Sequence, residues 1–255
     1  MKKKNFSGLK TVFVPLLMVL IITAMTGCSF FTNSWGKSFS RDMTDVYSKQ
    51  SLDKLLELAA DPSLQNDKEA SKQLLAAIGG KDVSALSAED KNTILSLTIS
   101  TSITMDTLAE TLSNLENAQD GSTDTVDGII DGILNSFQNT DLSAFTAVMS
   151  NASSVTQLDP VYVCLATVCA ATQIAKANDM NTSSDLRQSL VNVVDAANNG
   201  SGVDAKIDAA VAVIAPNGEN ETELRTILEA FTNIDFDNSE IVSGKNLSSL
   251  FNTNP

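Results

Sequence analysis

"DPVYVCLATVCAATQIA", residues 159–175, is apolar on almost every face of the helix it predicts, and that decides how the rest of the chain is read. Asp159 is an N-cap residue, and Pro160 sits in the first turn, where its missing N–H costs nothing. A helix without a polar face belongs in the interior, with other helices around it. The layers around it are where a lipid-sized cavity would lie, although no residue requires one. Its two thiols, Cys164 and Cys169, are five residues apart, a rise of ~7.5 Å and a rotation of about 140° along a helix. They cannot bridge each other. Two buried free thiols are expected, with an intermolecular disulfide as the alternative in an oxidising compartment.

Outward from this segment the pattern stays helical. "LDKLLELAA" puts Leu52, Leu55, Leu56 and Ala59 on one face, and Pro62 stops it. Ser87 with Asp90 makes a capping box. Gly79-Gly80 and the "NNG" ending at Gly200 are stops. "LSLTISTSI" (95–103) is the one place where a strand competes, and its flanks are helical. Helices are therefore predicted near 51–61, 67–78, 88–103, 105–118, 123–137, 141–150, 160–178, 184–198, 203–215, 220–232 and 246–252. The fold class is all-α.

Internal similarity organises these helices. "SLDKLLELAA" (51–60), "TVDGIIDGIL" (125–134) and "GVDAKIDAAV" (202–211) share an apolar residue, then Asp, then Leu or Ile followed by an acid. "TLAETLSNL" (107–115) matches "DLRQSLVNV" (185–193), and "VSALS" (83–87) matches "VTQLD" (155–159), at nearly the same offset. The predicted unit is about 75 residues and four helices, with copies at 51–124, 125–201 and, in part, 202–255. Helix pairs stacked in this way bury a continuous core and expose one curved face. The body resembles an α-solenoid, loosely of the tetratricopeptide kind, without that family's Trp-Leu-Gly-Tyr landmarks. A compact duplicated helical bundle is the alternative.

The composition excludes several functions. The 255 residues carry 17 Lys and Arg against 31 Asp and Glu, a formal charge of −14, and no histidine. From Asn92 to Ala175 there are nine acids and no cation. Such a surface repels phosphate backbones, so no nucleic-acid partner is expected. Without histidine there is no Ser-His-Asp triad and no imidazole metal ligand. A carboxylate-only mechanism survives that test, but one Trp and two Tyr leave little surface for stacking sugars. No enzyme activity, cofactor or metal is expected.

Residues 1–28 run from a cationic start (Lys2, Lys3, Lys4, Lys10) through the apolar "TVFVPLLMVLII" to "TAMTGC". This is the order of a signal peptide, and the uncharged run falls short of the ~20 residues of a spanning helix. "MTGC" resembles the lipobox of bacterial lipoprotein precursors: Thr26 and Gly27 fit it, and Met25 stands where Leu is usual. The resemblance, confined to these 28 residues, implies cleavage before Cys28 and diacylglycerol on its sulfur. It also implies a mature charge of −18, because the leader holds four lysines and no acid. Residues 1–27 then form the signal peptide, 28–40 the lipidated Cys28 and a tether, and 41–255 one helical domain. Phe30, Phe31 and Trp35 either rest at the headgroup level or dock on the body. The expected location is the cell envelope, periplasmic or surface, with the membrane as one partner.

The candidate site residues of the body are the recurring acids. Asp53 and Glu57, Asp127 and Asp131, and Asp204 and Asp208 are i, i+4 pairs that put two carboxylates on one helical face, for a cation or a basic partner or simply for solvent. "DFDNSE" (235–240) lacks the glycine and distal glutamate of an EF-hand. Gly128 and Gly132, aligned with Ala205 and Ala209, suit a close helix contact. The expected function is a membrane-anchored scaffold for an unidentified protein partner. The alternative is a hydrophobic-ligand or lipid-binding accessory protein of a transport system.

Overall fold

The computed structural model describes residues 43–61, 64, 67–103, 132, 139–150, 155–180, 183–242, 245–247 and 251. The compact unit spans Thr44–Pro255, and the protein is all-α. The described residues hold nine helices: α1 (Thr44–Tyr47), α2 (Leu52–Ala59), α3 (Lys68–Gly79), α4 (Ala88–Ser102), α5 (Ser143–Met149), α6 (Pro160–Ala177), α7 (Ser183–Asn199), α8 (Val203–Ile214) and α9 (Glu221–Phe231). A short antiparallel ribbon follows, β1 (Glu240–Val242) on β2 (Lys245–Asn246). The helix expected over 246–252 is corrected at its start, because Asn246 pairs with Glu240 in that ribbon. The helices expected over 105–118 and 123–137 lie outside the described residues, apart from Gly132, which is helical.

Local chemistry sets the boundaries. The Ser51 hydroxyl accepts from the Lys54 amide, and Asp67 accepts from Glu69 and Ala70. Ser87 Oγ accepts from the Asp90 amide at 3.2 Å and donates to the Asp90 carboxylate at 2.6 Å. Asp159 Oδ1 accepts from Val161 at 2.9 Å and Tyr162 at 3.4 Å. Each such cap satisfies amides that the first helical turn leaves unpaired, worth ~1 kcal/mol against alanine. Gly200, at φ 61°, ends α7: its amide bonds Ala197 and that of Ser201 bonds Ala196. In α4 the Ser/Thr run is helical because its hydroxyls return to the helix. Thr98 donates to Ile94, Thr101 to Leu97 and Ser102 to Thr98, so these three buried hydroxyls carry no unmet demand.

Helix α6 is the core. Val163, Cys164, Ala166, Val168, Cys169, Ala170, Ala171, Ile174 and Ala175 are buried, and the helix packs on α4, α7, α8 and α9. It is long and apolar enough to cross a membrane, but its neighbours here are other helices, the setting of an interior helix.

Val83–Ser87 and Val155–Asp159 take matching turns. In "VSALS" the Leu86 amide donates to the Val83 carbonyl, and in "VTQLD" the Leu158 amide donates to Val155. In both, the next residue caps a helix, and the Asp159 amide ties the second turn to α4 by donating to Asn92 Oδ1 at 3.0 Å. Likewise α3 packs on α5, α5 on α9, and α4 on α6.

The α3–α5 contact needs a glycine. A Cβ on Gly79 would lie 2.9 Å from Ser143 Cβ and 3.0 Å from the Ala144 amide nitrogen, atoms that no rotamer change moves. Gly79→Ala is therefore expected to lose up to about 2 kcal/mol, since overpacking costs ~1–3 kcal/mol against a helix-propensity gain of about 1. At Gly80 a Cβ meets only the Ala77 carbonyl, at 3.6 Å, so Gly80→Ala stays within about 0.5 kcal/mol of wild type. Urea unfolding of the two variants checks the contrast.

Candidate functional site

The described acids of the recurring pattern are all on the surface. Asp53 and Asp204 lie in the first turns of α2 and α8, where a negative charge meets the positive end of the helix dipole. Both are exposed, as are Glu57 and Asp208. Glu57 is engaged by Lys54 at 2.8 Å, and Asp208 by Arg225 at 2.6 Å. Arg225 also reaches Glu221 at 3.9 Å, and these carboxylates hold its guanidinium further toward the charged form. Exposed pairs like these contribute ~0–1 kcal/mol each.

The two described pairs belong to different parts of the packing: α2 sits on α3 and α4, and α8 on α6, α7 and α9. Each carboxylate pair therefore meets solvent and a local cation rather than its counterpart. Among the described residues no three His, Cys, Asp or Glu side chains gather as a metal site. Asp127 and Asp131 lie outside the described residues, as do Gly128 and the N-terminal group Met25, Thr26, Gly27 and Cys28.

In "DFDNSE" the Asp235 carboxylate accepts from the Asn238 amide at 3.1 Å and from its side-chain nitrogen at 2.8 and 3.0 Å. Asn246 reaches across the ribbon to the Asp237 carbonyl. The Asp235 carboxylate thus closes the turn on itself.

Both thiols of α6 are buried and free. Burial pushes each up to about 12, reinforced at Cys164 by the neighbouring Cys169 and opposed at Cys169 by a hydrogen bond with Ser102. Thiolate is the reactive form, so burial and the raised values both disfavour reaction at either sulfur in the folded chain. Native protein is expected to leave Cys164 and Cys169 unmodified by a thiol reagent, while denaturant exposes two thiols, or three where Cys28 is unacylated. Because the folded values lie above those of the unfolded chain, the native state holds these protons longer. Stability is complete below about pH 9 and falls as pH rises toward 12. Tyr47 and Tyr162, raised mainly by burial, act in the same direction. Flat stability across this range in chemical denaturation contradicts the buried-thiol arrangement.

Two polar features had no sequence signal. Gln173 of α6 pairs with Thr140 twice: its oxygen accepts from the Thr140 amide at 2.9 Å, and its nitrogen donates to the Thr140 carbonyl at 2.8 Å. The Thr140 hydroxyl then meets that of Thr101 at 2.9 Å, which joins the approach to α5 to both α4 and α6. The second feature is Asn178, the C-cap of α6, whose amide enters the loop before α9.

No protein-family description, curated protein or solved structure matches this chain. The functional reading therefore rests on its own residues.

Proposed function

We propose that this chain is the precursor of a bacterial lipoprotein, cut before Cys28 and lipidated there, whose helical body is a stacked-repeat scaffold for a protein partner outside the cytoplasm. One observation carries the reading: "MTGC" closes an apolar leader that holds four lysines and no acid. Two or three acyl chains suffice for stable anchoring where one is marginal. The repeat reading is supported by the shared turn and cap of Val83–Ser87 and Val155–Asp159, and by the packing of α3 on α5 on α9 and of α4 on α6. In the proposed units these are corresponding helices of successive copies, which is how a solenoid grows.

Tyr47 is the first buried side chain among the described residues. Fifteen residues, 29–43, separate Cys28 from α1, and at no more than ~3.5 Å each they reach about 50 Å. In this reading the start of α1 lies within that distance of the membrane. The partner's contacts are with a mature chain that carries −18 and repels anionic lipid.

Cys28→Ala is expected to abolish palmitate incorporation and to move the protein from the detergent phase to the aqueous phase. Unchanged partitioning would refute the anchor. For the body, crosslinking of the anchored wild type should capture a defined protein. A copurifying lipid seen by native mass spectrometry of the leaderless domain would instead support the carrier alternative.

A further inference from the structure

We draw no further inference here: the strongest candidate, the exposed face of α8 formed by Ala205, Ala209, Ala212 and Val213, is an apolar stripe of small residues, and nothing in the structure shows what covers it.

Discussion

Phe231→Ala is expected to cost about 3–5 kcal/mol, the range for emptying a buried aromatic site. The residue is fully buried at the end of α9. Its ring meets Phe236 edge-on at 5.0 Å and Phe251 at 5.9 Å, while Phe236 and Phe251 lie 6.0 Å apart. Each edge-to-face pair contributes about 0.5–1.5 kcal/mol beyond area burial, and Phe231 takes part in two of the three. Its removal therefore also loosens the chain after α9, whose other buried anchors among the described residues are Ile234, Phe236, Leu247 and Phe251. Phe231→Leu keeps most of the volume and should lose about half as much. The measurement is the urea midpoint, together with amide exchange in Ile234–Leu247. A loss under 1 kcal/mol for Phe231→Ala, with exchange unchanged, would show that the three rings do not hold the C-terminal segment to the core.

How far this was legible depends on the range of the forces involved. Ser87, Asp159 and Gly200 act on their own backbone within a few residues, so sequence spacing places them correctly. The apolar circumference of α6 marks it as interior for the same reason, since a helix with no polar face has only one stable environment. Gly79 shows where such reading stops. It reads as a helix stop, which it nearly is, but its tighter constraint comes from Ser143, 64 positions away, and no local pattern encodes that approach. Phe236 and Phe251 were missed because their segments are too short for any period, and the ribbon between them displaces part of an expected helix. The recurring acids were legible as a pattern, and the structure gives the described ones a solvated face, with Lys54 on Glu57 and Arg225 on Asp208. Recurrence of a surface residue reflects a repeated helix start as readily as a repeated site.

Replacing Asn178 should cost about 2–4 kcal/mol, as expected when a buried amide's partners are left unpaired. The side chain is 2 % exposed. Its nitrogen donates to Ile174 and to Glu219, both at 2.9 Å, and its oxygen accepts from the Asn217 amide at 3.2 Å. One planar group therefore closes α6 and fixes the 215–220 loop that launches α9. The backbone around it is already committed. Met180 donates to the Ala175 carbonyl and Asp179 to Lys176, with Asp179 in the left-handed region at φ 60°, the pattern of a Schellman stop.

Asn178→Asp separates hydrogen bonding from packing, because it keeps the shape and removes the donors. At pH 7 a carboxylate would face the Ile174 and Glu219 carbonyls, so the variant should be less stable than Asn178→Ala. Repulsion by those oxygens and burial both raise the carboxyl's folded pKa. Protonation restores one donor, so its deficit relative to wild type shrinks as pH falls through that value. The two variants and wild type, unfolded in urea at pH 7 and again near pH 4, provide the comparison. If Asn178→Asp matches wild type at pH 7, or its deficit does not change with pH, then Asn178 is a spacer and the loop before α9 is held by other contacts.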